Sequence, residues 1–198
     1  MKFGTMMLAA GALALAIPAG ASVASADGHM VKGPKVSWKL SLWGKRRAFT
    51  EHVEKLAELV SAKTNGEFTM NVSYGGLSKN RENLDGISIG AFEMAQFCAG
   101  YHPDKNRVVT VLELPFLGVA NLAEEVAVSH AVYAHPAATE EMAQWNARLL
   151  MTSPMPQYNI VGTGDPRSTL ADFEGMRVRA TGGLGKAFAA VGSVPTSV

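Results

Sequence analysis

The chain predicts an α/β fold, and three observations carry that prediction. Segments that alternate apolar and polar residues, the pattern of a half-buried strand, take turns with segments whose apolar residues recur every three to four positions, the pattern of a helix. Glycine and proline punctuate the joins between them. The composition, 47% hydrophobic and 18% charged over 198 residues, supplies one good core or two small ones and excludes a disordered chain.

The elements follow in order. Val36, Trp38, Leu40 and Leu42 alternate with Ser37, Lys39 and Ser41, which predicts a first strand, and a basic turn runs from Gly44 to Arg47. Phe49, Val53, Leu56 and Val60 repeat at helical spacing with Glu51, Glu54, Lys55 and Glu58 opposite, and Asn65-Gly66 supplies a left-handed stop. Phe68, Met70, Val72 and Tyr74 form a second alternating strand closed by Gly75-Gly76. Asn80 to Ile89 reads as a short helix, and Ala91 to Cys98 as a third strand. Val108 to Leu114 is nearly all apolar and reads as a strand buried on both faces, ended by Pro115. Asn121 with Glu124 resembles a helix cap, and the helix it opens should break near His135 at Pro136. A further helix covers about Ala138 to Asn146, and Leu149 to Met151 reads as a strand. Met151 to Tyr158, with its Ser-Pro-Met-Pro composition, is the expected crossover between two lobes.

The run from Asp172 to Gly183 is the most informative in the chain. It reads as a tight turn, a short strand, a glycine bend and the start of a short helix ending at Gly192. Met176, Val178 and Ala180 alternate with Arg177 and Arg179, so one face is apolar and the other cationic. Arg179 falls near the strand's carboxyl end, the end that faces the ligand crevice in open α/β sheets. A guanidinium there can grip a carboxylate through two parallel charge-assisted hydrogen bonds. A plain solvated strand charge is the competing reading for either arginine.

Other features exclude whole classes of function. The first 26 residues have the form of a cleavable signal peptide: Lys2, an apolar stretch from Met6 to Ile17, and Ala24-Ser25-Ala26 before Asp27. The apolar stretch is too short to span a membrane. A net charge of +1 argues against nucleic acid as a partner. Cys98 is the single cysteine, so no internal disulfide is possible, and it reads as a small buried hydrophobe. Gly182-Gly183-Leu184-Gly185-Lys186 fails the spacing of a phosphate loop, and Phe188 fails that of a dinucleotide fingerprint. The five histidines have no metal-ligand spacing, no Gly-x-Ser-x-Gly elbow is present, and neither cofactor nor metal is implied. Trp43, Phe97, Tyr101 and Tyr158 lie at or just past expected strand ends and are candidates to line a pocket. Arg167 is a further candidate; Arg46 and Arg47 read as solvated loop charges.

Taken in order, these segments resemble the extracytoplasmic solute-binding proteins of tripartite ATP-independent periplasmic (TRAP) transporters, the DctP-like family. The resemblance runs through Lys63-Thr64-Asn65-Gly66, Tyr74-Gly75-Gly76-Leu77, Glu82 to Gly90, Leu114-Pro115-Phe116-Leu117, Asp172 to Arg179, and Gly192-Ser193-Val194-Pro195. It implies a periplasmic-binding-protein-like two-lobe fold: 27–150 as the first α/β lobe, 151–198 as the crossover and the start of the second, with the C-terminal part of that lobe expected beyond Val198. It implies a periplasmic receptor, not an enzyme, that takes a small organic-acid anion to TRAP membrane permease subunits. The position of Arg179 resembles that of the family's carboxylate-binding arginine, which implies that role for it. The alternatives are a ligand-reporting subunit of a membrane sensor and a periplasmic hydrolase or isomerase.

Overall fold

The computed structural model describes residues 30–114, 117–155, 158–180 and 182–196. The proposed signal peptide, and Pro115-Phe116 of the Leu-Pro-Phe element, lie outside them.

Two parallel sheets organise the chain. In the first, β1 (Val36–Leu42) is central, between β2 (Phe68–Tyr74) and β3 (Met94–Ala95), in the order β2-β1-β3. The register sets Val36 beside Phe68 and Leu42 beside Tyr74, so the two alternating patterns fall in step. Helix α1 (Glu51–Lys63) makes the crossover from β1 to β2 and packs on β2. It ends where Asn65 and Gly66 turn to positive φ, 52° and 79°, as their sequence predicts. The apolar face of this unit closes a core of Leu40, Leu42 and Val53, with Met70, Val72, Tyr74 and Met94 packed against it.

A second core gathers Leu84 from α2 (Asn83–Ser88), Val109, and Met142 from α4 (Pro136–Ala143), flanked by Phe97, Tyr133, Trp145 and Leu149. Helix α3 (Leu122–Ala134) begins as expected: Asn121 Oδ1 accepts the Glu124 N–H at 3.0 Å, while Glu124 reaches back to the Ala120 N–H. Pro136 opens α4, with His135 Nδ1 accepting the Ala137 N–H.

The second sheet pairs β4 (Arg177–Arg179) with β5 (Val194–Thr196) through α5 (Gly182–Ala190), a compact βαβ unit. Helix α5 packs on both strands and also on the turns at Ala99–Tyr101 and Val109–Glu113, which belong to the region of the first sheet. The carboxyl ends of β3 and β4 are thereby brought to one place.

Three sequence expectations are corrected. The run at Val108–Leu114 is no strand: Val109–Glu113 is a 3-10 helix. Asn106 is fully buried and its amide donates to the His102 carbonyl, which sets up a helical turn, while Glu141 takes the Val108 N–H that a ladder would need. A short apolar run fits either structure, and only the neighbours choose. The third strand shrinks from Ala91–Cys98 to Met94–Ala95, because the chain turns away at Cys98 into the next 3-10 turn. Leu149–Met151 has no strand partner among the described residues; Leu149 packs on the second core instead. The helices expected at Asn80–Ile89 and Ala138–Asn146 are present, with bounds Asn83–Ser88 and Pro136–Ala143.

Candidate functional site

Tyr101 stands in the turn that follows β3, and Arg179 is the last residue of β4. The α5 crossover brings them together across 78 positions of sequence: Arg179 Nη2 donates to the Tyr101 hydroxyl at 3.5 Å. Arg179 is exposed, and no carboxylate pairs with it among the described residues. A guanidinium held by one neutral, long hydrogen bond keeps its donors for an incoming anion. Trp43, just past β1, sets its ring edge-on to Tyr101 with centroids 6.1 Å apart. Arg47 caps the other side of that aromatic pair, its guanidinium 5.7 Å from the ring centres of both Trp43 and Phe49. Tyr158 is 62% exposed as a residue, yet its hydroxyl is desolvated enough to raise the phenol above its ordinary value. The charges of Cys98, Glu113, Tyr101 and Arg179 act on it as lesser effects, which puts it in the same neighbourhood.

Two of the expected site residues stay apart. Phe97 packs against the second core, its ring 5.9 Å from that of His102. Arg167 lies in an exposed loop, where it is a minor influence on Asp172; the Thr169 and Ser168 N–H groups are the larger cause of that carboxylate's low value.

Glu113 belongs to the group and was not anticipated. Its Oε1 accepts the Gly100 N–H at 2.6 Å and lies 3.9 Å from the Cys98 sulfur. Burial raises its carboxyl above the ordinary range, against the smaller opposing pull of the Gly100 N–H and the Cys98 thiol. A signal existed: it is the only acid in an otherwise apolar run, and an acid in such a run needs a partner. The thiol of Cys98 is raised by burial and then by Glu113, the opposite of an activated nucleophile. A cavity of about 240 Å³ adjoins the group, lined by Glu113, Thr110, Arg107, Asp104, Gly183 and Lys186 among others.

Elsewhere, Ser153 Oγ lies 2.6 Å from His52 Nε2. The Phe49 carbonyl, not a carboxylate, bonds this imidazole, and the Gln96 amide also reaches the serine, so the pair reads as a tie between α1 and the segment after the second core. No three His, Cys, Asp or Glu residues gather into a metal site among the described residues.

Comparison with known proteins gives the following. The family model of bacterial extracellular solute-binding protein, family 7 (DctP), matches residues 41–198. No curated protein matches. Among solved structures, the chain is similar to DctP7 of Bordetella pertussis, an extracytoplasmic solute receptor binding pyroglutamic acid. The identity is 22%, the TM-score 0.64, and the match covers 82% of this chain and 54% of that one. It is similar to a marine-metagenome TRAP solute-binding protein specific for aromatic acids, solved with 3-hydroxybenzoate (19% identity, TM-score 0.65, covering 84% and 52%). It is also similar to a TRAP solute-binding protein of Sulfitobacter sp. NAS-14.1 with bound galacturonate (19% identity, TM-score 0.60, covering 82% and 55%). These likenesses establish the fold, and the chain spans about half the length of the structures it matches.

Proposed function

This chain belongs to the DctP family, family 7 of the bacterial extracellular solute-binding proteins, and from that premise we propose that it is a periplasmic receptor for a small organic-acid anion, which it delivers to TRAP membrane permease subunits. The observation that carries the reading is the exposed guanidinium of Arg179 at the carboxyl end of β4, beside the Tyr101 hydroxyl and paired with no carboxylate among the described residues. Pyroglutamic acid, 3-hydroxybenzoate and galacturonate, the ligands of the three similar structures, share one group with one another, a carboxylate. Arg179 takes that carboxylate, Tyr101 steers the guanidinium, and Trp43 and Tyr158 bound the space around it. Residues 27–150 form the first lobe and 151–198 the start of the second, a division supported by the two separate sheets. The leading 26 residues direct export. Ligand favours closure of the lobes by its higher affinity for the closed arrangement.

Calorimetry with a panel of organic acids on the natural full-length protein tests the reading. Arg179→Ala should weaken the best acid by about 30-fold or more, roughly 2–5 kcal/mol, because the acid loses its charge-assisted partner in a site that lobe closure desolvates. A loss below about threefold removes Arg179 from the site. Tyr101→Phe, which deletes a long neutral hydrogen bond, should cost about 1 kcal/mol or less.

A further inference from the structure

Glu113 is half-buried and negatively charged when ionised; Arg107 and Lys186 line the same cavity, but neither forms an ion pair with it among the described residues. Its two oxygens have different surroundings. Oε1 is occupied by the Gly100 N–H. Oε2 accepts no hydrogen bond from any described residue, and Glu113 forms part of the wall of the 240 Å³ cavity. Two glycines leave Oε2 uncovered: a Cβ on Gly100 would sit 2.6 Å from it and one on Gly182 3.2 Å. The loop that binds Oε1, Cys98 to Tyr101, is the same loop that presents the Tyr101 hydroxyl to Arg179. One short stretch of backbone thus touches both the Arg179 guanidinium and the Glu113 carboxylate.

We propose that Glu113 is a specificity-determining residue of this site, which reads a hydrogen-bond donor or cationic group on the carboxylate ligand and turns away acids whose second group is an anion or a bare acceptor. The inference rests on the receptor function proposed above. The physical reason is the lone pair on Oε2. A hydroxyl, lactam N–H or ammonium group satisfies it with a charge-assisted hydrogen bond. A second carboxylate meets like charge at short range. Burial already raises the Glu113 carboxyl, in keeping with a group that waits for a partner.

Matched acids test this on the natural full-length protein: lactate against pyruvate, 3-hydroxybenzoate against benzoate, alanine against propionate, with succinate as the dianion. The donor-bearing member of the pair that fits should bind about tenfold or more tighter than its partner, the discrimination expected of one hydrogen bond to a charged group. Glu113→Gln keeps an oxygen for the Gly100 N–H and so keeps the loop. Both it and Glu113→Ala should bring that ratio within about threefold, while Arg179→Ala weakens both members of the pair alike. A ratio unchanged in the folded Glu113→Gln protein overturns the assignment. Acids that bind the parent with no preference for a donor overturn it too, and leave the receptor reading standing. A parent that binds none of the acids overturns both.

Discussion

At Arg179 and Glu113 the local chemistry is set by which partners are withheld. Arg179 has one long hydrogen bond to Tyr101 and, among the described residues, no acid paired with it, which leaves donors for an anion. Glu113 is held above its ordinary value first by burial. Its folded carboxyl keeps a proton that the unfolded chain releases near pH 4.5, so its ionisation subtracts stability as pH rises through that value and beyond. Glu113→Gln should therefore hold or raise the thermal midpoint at pH 7, within about 1 kcal/mol, although it alters ligand choice. A melt that drops by several degrees instead would mark the carboxylate as a stabilising element. Both residues differ in how they could be recognised beforehand. Arg179 stood in an alternating strand before a glycine bend, a place from which a side chain can reach a crevice. Glu113 stood in a run that could be strand or helix, and its direction depended on the outcome.

The element scale is where close approach decides. Helix α5 meets the Gly100 loop backbone to backbone: Gly182 has φ +51°, and a Cβ there would lie 2.9 Å from the Gly100 Cα. Gly182→Ala combines left-handed strain with that collision, and we expect a loss of about 1–3 kcal/mol in denaturant unfolding together with weaker acid binding. An alanine variant with parental stability and affinity would show that the contact is dispensable. Gly86 in α2 is a second case of close packing, since a Cβ would come 2.2 Å from the buried ring of Phe92; Gly86→Ala should cost about 1–3 kcal/mol by overpacking. At α3 the cap is local and legible: Asn121→Ala should cost about 1 kcal/mol, read by the same unfolding experiment.

At the scale of the whole molecule, two imidazoles link folding to pH. Burial lowers both His52 and His102, aided at His102 by the Lys105 charge, and His102 is only 3% exposed with Nε2 unpartnered among the described residues. Their folded values lie below the ordinary 6.5, so their stabilising contribution is complete above pH 6.5. It is lost as pH falls from 6.5 towards the folded values, because the unfolded chain binds protons that the folded one refuses. Thermal melts at pH 8 and pH 5.5 should show the lower midpoint at pH 5.5, with a smaller drop in His102→Gln; an identical drop in that variant would clear His102. The two parallel sheets set the other large-scale property. Each places strand carboxyl ends towards the α5 junction, so Trp43, Tyr101 and Arg179, far apart in the chain, face one region.

The strands Val36–Leu42 and Phe68–Tyr74, the Asn65-Gly66 stop, the Asn121 cap and the Pro136 break were all determined by the sequence itself, because each rests on neighbours within a few positions. The candidate arginine was legible for the same reason. What the tertiary structure alone decided was the fate of Val108–Leu114, the removal of Phe97 to the second core, and the meeting of Glu113 with Gly100 and Gly182. Those outcomes depend on which distant backbone donor or packed side chain arrives at a residue, and short-range periodicity carries no information about that.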